Sequence, residues 1–163
     1  MAAEDVRKHL ERFGKADAIM EFDESSATVA LAAEKVGTDP ERIAKTLAFY
    51  DPQDTEKALL IVAAGDARLH NGSFKRKLGG KPRMIDAQDL QRLTGHPVGG
   101  VCPFANPAGT RVFLDESLRR FETVYPAAGT ASSAVPLTIA ELESCSGSLG
   151  WVEVTNGWQE DRN

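Results

Sequence analysis

The run from Ala58 to Ala64 constrains the fold most strongly, because it reads Ala-Leu-Leu-Ile-Val-Ala-Ala without a polar residue. Polar residues precede the run and Gly65 follows it. A short apolar segment bounded in this way is typical of a strand that is buried on both faces of a sheet. The rest of the chain must therefore cover that strand from both sides.

Helical and extended patterns alternate irregularly around this strand, without clean βαβ repeats. Apolar spacing, capping residues and glycine stops predict helices before Gly14, Gly37, Gly79 and Gly95, and one that begins at Thr138 with a capping box. Predicted strands cover residues 18–22, 43–50, 58–64, 83–85, 111–114, 123–127, 134–137 and 151–155. We predict one mixed α/β domain over residues 1–156, with a curved, barrel-like sheet of about six to seven strands surrounded by helices. Residues 157–163 are expected to form a polar, frayed tail.

Lys45 is the most unusual residue of the predicted strand 43–50. Strand alternation places Ile43, Lys45, Leu47 and Phe49 on one face, so a single charge stands in a row of bulky apolar side chains. Such a lysine either extends to the edge of the apolar surface or points into a cavity that receives an anionic partner. If a helix instead continued through Lys45, this inference would weaken.

The segment 95–109 holds 4 of the 14 glycines and 3 of the 8 prolines, which excludes a regular helix or central strand over most of it. Gly99 and Gly100 allow backbone angles closed to other residues and a close approach by another molecule. Backbone N–H groups of the turn Gly99–Phe104 can hold a carbonyl oxygen or a developing oxyanion. The alternative is an ordinary long turn.

Charge is distributed unevenly along the chain. The net charge is −5, yet residues 66–83 carry six basic residues against one acidic residue. Lys75, Arg76 and Lys77 fall on the predicted helix before Gly79, where they form a basic patch that suits a phosphate backbone. A solvated lysine-rich turn would give the same pattern.

Several classes of protein are disfavoured by what the sequence lacks. It has no apolar run of ~20 residues that could span a membrane, and the first residues do not resemble a signal peptide, so we expect a cytoplasmic protein. Nucleotide-binding glycine motifs, GxSxG and HExxH are missing, and two cysteines and three histidines match no metal-ligand spacing. We therefore predict no metal and no cofactor. A cysteine-based enzyme using Cys102, or a general base at His96, remains an alternative.

Four stretches together resemble one known family. They are Arg42-Ile-Ala-Lys-Thr-Leu47, Gly79-Gly-Lys-Pro-Arg-Met84, the segment Thr94–Phe104 with its Gly-x-x-x-Pro portion at Gly99–Pro103, and Asp115. In this order and spacing, the chain resembles the YbaK/prolyl-tRNA-synthetase-associated editing-domain family from about residue 18 to residue 155. It is similar to the free-standing members.

The resemblance implies a fold and an activity. The fold is a mixed α/β domain with a barrel-like sheet, and the activity is hydrolysis in trans of the ester of a mischarged tRNA, typically tRNA for proline carrying a small wrong amino acid. By this resemblance Lys45 contacts the terminal nucleotide or its phosphate. The loop of Gly99, Gly100, Val101, Cys102 and Pro103 holds the aminoacyl carbonyl and positions water or the ribose hydroxyl. The implied partners are the aminoacylated acceptor end of tRNA and, as a candidate, prolyl-tRNA synthetase.

Further residues are expected to bind substrate by the same resemblance, namely Thr46, His96, Phe104, Asp115 and Gly129. Family members that remove alanine tend to have Asn after the lysine and a His in the loop after the late strand. This chain has Thr46 and the Gly129-Thr130 region at those places. Alanine, 2-aminobutyrate, serine, threonine and cysteine therefore stay open as the mischarged amino acid. A non-catalytic module of the same fold that binds tRNA or synthetase is the alternative function.

Overall fold

The computed structural model describes residues 2–159 as five α-helices and ten strands, with three short 3₁₀ turns between them. The helices are α1 (Ala2–Glu11), α2 (Val29–Val36), α3 (Asn71–Leu78), α4 (Ala87–Thr94) and α5 (Ile139–Ser146). The strands are β1 (Met20–Glu21), β2 (Ile43–Asp51), β3 (Asp54–Ala64), β4 (Arg68–Leu69), β5 (Arg111–Asp115), β6 (Thr123–Pro126), β7 (Ser133–Ala134), β8 (Leu137–Thr138), β9 (Trp151–Val152) and β10 (Thr155–Asn156).

A six-stranded mixed sheet in the order β8-β6-β2-β3-β5-β9 forms the centre of the fold. Its long antiparallel hairpin β2–β3 is flanked by β6, parallel to β2, and by β5, parallel to β3. Two small sheets pair β1 with β7 and β4 with β10. The sheet is curved into a half-barrel, which confirms the predicted mixed α/β class and strand count.

Strand β3 is covered on both faces, as its apolar run predicts. All residues from Ala58 to Ala64 are buried, each with no solvent-exposed area. Leu59 and Ile61 pack against Phe74 of α3, whereas Leu60 and Val62 belong to the larger cluster on the opposite face. The same division applies to β2, so one sheet face lies under α2 and α3 and the other faces the main core.

Several predicted elements differ in the structure, and of the predicted strand 18–22 only Met20–Glu21 is extended, because Ala16–Ala18 form a 3₁₀ turn. Residues 83–85 form only an isolated bridge between Met84 and Phe49, because the segment makes just two backbone hydrogen bonds to the edge of β2. The segments 134–137 and 151–155 each divide into two short strands that pair with different partners. Trp158 is buried and its indole N–H donates to Thr155 Oγ1, so the tail is anchored at this point; residues 160–163 lie outside the described residues.

The outer edge of β2 is paired at its two ends but not in between. At one end β6 pairs with Ile43 and Ala44, and the ladder stops there. At the other end Ile85 donates to the carbonyl of Ala48 and Tyr50 donates to the carbonyl of Arg83. Because strand residues alternate, Thr46 also turns its N–H and C=O outward, into the part of the edge that no described strand covers.

Candidate functional site

A cavity of about 230 Å³ lies at this uncovered edge of β2. Residues of β2 from both sheet faces line it, so the cavity bends around the strand edge. Other walls come from the N-terminal part of α2 and the segment before it, the Gly-rich loop, and the chain around β6 and β7. Four of the residues predicted for the site line this cavity, namely Lys45, Thr46, Gly99 and Val101.

The Lys45 ammonium is held by backbone carbonyl groups at the end of β3. Its Nζ donates to the carbonyl of Gly65 at 3.3 Å and to that of Ala67. Burial lowers the pKa of Lys45, while the nearby Asp66 acts in the opposite direction. An ammonium with two protons engaged by neutral carbonyls keeps its third donor for a ligand.

The turn that carries these carbonyls is itself fixed. Asp66 forms a two-pronged ion pair with Arg120, with N–O distances of 3.0 and 2.5 Å, and the Arg120 Nε donates to the carbonyl of Ser117. The Ser117 hydroxyl accepts from the N–H of Ala64. A planar bidentate pair of this kind holds geometry as well as charge, so the position of the Lys45 ammonium is determined by rigid surroundings.

Gly99 and Gly100 shape the cavity through close packing. Gly99 has φ +84°, and a Cβ there would lie 3.0 Å from the Cβ of Ala27 and 3.1 Å from that of Ala131. A Cβ on Gly100 would lie 2.9 Å from three backbone atoms of Thr130. The N–H of Gly100 donates to the carbonyl of Pro97, so it is occupied within the turn. The loop therefore packs tightly against Thr130 and Ala131, which precede β7.

The side chains of His96, Cys102 and Phe104, in and beside the loop, have no solvent-exposed area. The His96 Nε2 is 2.7 Å from the Phe104 carbonyl, which can only accept, so this nitrogen carries the proton. Cys102 Sγ lies 3.4 Å from the same nitrogen, which leaves the imidazole unable to take the thiol proton there. Burial raises the pKa of Cys102 to about 12 and lowers the pKa of His96. The pair is neutral and holds the loop in place.

The remaining predicted site residues do not line this cavity. Pro103 borders a separate surface depression beside His9 and Arg12. Asp115 is fully buried and its carboxylate accepts three bonds from protein groups, two N–H and one hydroxyl. Gly129 faces α1, where a Cβ would lie 2.9 Å from Val6.

The basic residues Lys75, Arg76 and Lys77 are exposed on α3. This helix packs through Phe74 onto Phe49, on the same face of β2 as Lys45. Phe49 lies four residues along β2 from Lys45, which corresponds to about 13 Å.

Several cavity residues carry no local sequence signal. Ser26, Ala27 and Thr28 reach the site because the N–H of Ser26 donates to the carbonyl of Ala131 and β1 pairs with β7. These contacts join positions more than a hundred residues apart. Only the capping role of Thr28, which accepts from the N–H of Leu31, follows from a recognisable helix start.

Comparison with known proteins identifies the family. The family model of the aminoacyl-tRNA editing domain matches residues 23–145, and the chain belongs to this family. A relative at 42% identity is the uncharacterized protein YwhH of Bacillus subtilis (strain 168), over 159 residues, 98% of this chain and 100% of that protein.

Solved structures agree with this assignment. A proposed trans-editing enzyme for prolyl tRNA synthetase superposes with a TM-score of 0.84 at 29% identity, over 96% of this chain and 98% of its own. The hypothetical protein APE2540 superposes with a TM-score of 0.81 at 28% identity, over 93% and 99% of the two chains. Among residues 2–159, no helix has the length and apolar character needed to cross a bilayer.

Proposed function

We propose that this protein is an aminoacyl-tRNA deacylase that acts in trans, and that its substrate is tRNA for proline carrying a small wrong amino acid. Membership of the editing-domain family and the likeness to a proposed trans-editing enzyme support the reaction class. The observation that carries the proposal is the cavity, which combines a held ammonium, an uncovered strand edge and a rigid glycine loop.

The two ends of the cavity suit the two ends of an aminoacyl ester. Lys45 lies on the face of β2 that is covered by α2 and α3, where its charge can meet the terminal phosphate or ribose. Thr46 and Val101 lie toward the main core, and small side chains such as Ala44 and Ala127 form much of the wall there. The aminoacyl group would occupy this second end.

The chemistry would depend on electrostatic stabilisation rather than on a side-chain base. No Asp, Glu or His is found among the described residues that line the cavity. Water would attack the ester carbonyl, and the oxyanion of the intermediate would be stabilised by Lys45 and by the outward N–H of Thr46. Collapse would release the free amino acid and return a proton to the ribose oxygen that leaves. A single such donor typically contributes about 10²–10³-fold in rate.

Size and charge set limits on the substrate. At about 230 Å³ the cavity is smaller than typical ligand pockets of roughly 300–1,000 Å³, so only the ester and a small side chain would be enclosed. The remainder of the acceptor end would lie outside, where the basic residues of α3 share the sheet face of Lys45. Prolyl-tRNA synthetase is a candidate partner that would release such mischarged tRNA.

A deacylation panel tests this proposal directly. The protein is incubated with tRNA for proline charged with proline, alanine, serine, threonine, cysteine or 2-aminobutyrate, and loss of each ester is followed against the rate without protein. We expect accelerated hydrolysis of at least one small wrong ester, with prolyl-tRNA spared. Binding without acceleration of any ester would refute the proposed activity and favour the non-catalytic module.

A further inference from the structure

Two carboxylates lie close enough to the Lys45 ammonium to act on its charge. Asp66 stands between Gly65 and Ala67, the two residues whose carbonyls accept from Lys45 Nζ. Burial lowers the pKa of Lys45, and the charges of Asp66 and, more weakly, Asp115 oppose this effect. Nevertheless, Lys45 forms no ion pair with a carboxylate in the part of the chain that the structure describes. Other groups must therefore hold both carboxylates.

The Arg120 guanidinium occupies both oxygens of Asp66. Its two terminal nitrogens lie 3.0 and 2.5 Å from the two carboxylate oxygens, and its Nε donates to the carbonyl of Ser117. The Arg120 Cζ lies 4.7 Å from the ring centroid of Phe121 and 5.2 Å from that of Trp158. Only 14% of the Arg120 side chain is exposed to solvent. Hydrogen bonds and aromatic contacts together fix the guanidinium at the carboxylate.

Without this guanidinium, the Asp66 carboxylate would be free to pair with Lys45. A partly buried carboxylate that loses its cation is unfavourable until it finds another. An ion pair between Asp66 and Lys45 would engage the third ammonium donor, which the proposed reaction keeps for the phosphate or the oxyanion of the substrate. The carboxylate would then compete with the substrate for the same charge.

We infer that Arg120 is a positioning residue that holds the Asp66 carboxylate away from Lys45 and so keeps the ammonium available for the anionic part of the substrate. This inference rests on the proposed deacylase function and deepens it. Asp115 needs no such cation, because two N–H groups and one hydroxyl already occupy its carboxylate. An acidic residue can therefore lie directly beside a site for an anionic ligand.

The variant Arg120→Gln and the double variant Arg120→Gln/Asp66→Asn test this inference. Glutamine removes the cation but stays polar, and asparagine keeps the size of aspartate without its charge. The kcat/KM is measured for the ester of tRNA for proline that is hydrolysed fastest in the deacylation panel. We expect Arg120→Gln to lower kcat/KM by roughly 10-fold or more, since opposite charges a few Å apart near a protein surface attract strongly. The double variant should recover most of this loss, because the neutral amide does not compete for Lys45.

Arg111 and Asp51 provide a matched control pair. They also form a two-pronged ion pair, with N–O distances of 2.7 and 2.8 Å, and neither residue lines the cavity. The variants Arg111→Gln and Arg111→Gln/Asp51→Asn should therefore leave kcat/KM unchanged. All rates are compared at equal concentrations of folded protein, measured by circular dichroism, so that a loss of stability is not counted as a loss of rate.

A purely structural role of Arg120 predicts a different pattern. If Arg120 only anchors the turn, removing the charge of Asp66 as well cannot restore activity, so a double variant as slow as Arg120→Gln would overturn the inference. A wild-type kcat/KM in Arg120→Gln would overturn it too, and either result leaves the deacylase function intact. If the wild-type protein hydrolyses no mischarged ester faster than occurs without protein, the proposed function fails and this inference fails with it.

Discussion

Replacing Lys45 by methionine removes one charge from the cavity and keeps most of the side-chain volume. In the proposed reaction the ammonium stabilises the developing oxyanion or the nearby phosphate. Removing one preorganised donor of this kind typically lowers the rate about 10²–10³-fold. We therefore expect Lys45→Met to reduce single-turnover deacylation by that factor, with the protein still folded.

The effect on stability should be small because two contributions oppose each other. The ammonium donates to the carbonyls of Gly65 and Ala67, and each bond from a charged donor contributes about 1.5–3 kcal/mol. Burying the charge costs several kcal/mol in return. The free energy of unfolding should therefore change by less than about 2 kcal/mol, which a urea titration measures.

The pH dependence of that difference has a defined sign. Burial lowers the pKa of Lys45 in the folded protein, so just below the unfolded value of ~10.4 the unfolded chain binds more protons at this site. Wild-type stability from this group therefore rises with pH in that window. Lys45→Met lacks this rise, so the free energy of unfolding of the variant should fall relative to that of the wild-type protein as the pH approaches ~10.4.

A matched control is available in Lys57, an exposed lysine of β3 whose Nζ also donates to a backbone carbonyl, at 3.4 Å. Lys57→Met should leave the deacylation rate unchanged. If Lys45→Met hydrolyses mischarged tRNA at the wild-type rate, the ammonium takes no part in the reaction and the reasoning is refuted. A loss of rate that only follows the unfolded fraction would make the lysine structural.

Three further substitutions test neighbouring claims. Cys102→Ala should keep the rate within about tenfold, and a loss of about 10³-fold with a trapped acyl-enzyme would restore the cysteine mechanism. Asp115→Asn should lower the free energy of unfolding by about 2–4 kcal/mol in urea, because a carboxylate that accepts three bonds loses acceptor capacity; a loss of rate at unchanged stability would speak against this. Reversing Lys75, Arg76 and Lys77 to Glu should weaken tRNA binding and flatten its salt dependence, whereas an unchanged slope would remove α3 from the interface.

The sequence predicts the elements whose signals are local. The apolar run of β3 gives a strand buried on both faces, and helix α3 ends at Leu78, directly before the predicted stop at Gly79. Thr138 forms the expected capping box with Glu141. Alternation in β2 places Lys45 beside Ile43 and Leu47 on one face, as expected. These features depend on period and capping, which a few consecutive residues determine.

The cavity itself depends on contacts that no local pattern encodes. One wall is the segment around Ser26, which the pairing of β1 with β7 brings to the site. The edge of β2 is interrupted because β6 pairs only with Ile43 and Ala44. At the other end of β2, the segment around Met84 contacts the edge only near Phe49. Both features arise from topology, so residue spacing alone cannot reveal them.

Gly99 and Gly100 show how a correct signal can have a different physical cause. Their glycine character was expected to let a substrate approach the backbone. In the structure the space that a Cβ would fill at Gly100 is taken by the backbone of Thr130, and at Gly99 by Ala27 and Ala131. The glycines therefore join the loop tightly to the segment before β7. A substrate would meet a cavity whose walls are fixed by this packing, so substitutions at Thr130 or Ala131 would alter amino-acid preference by moving the loop.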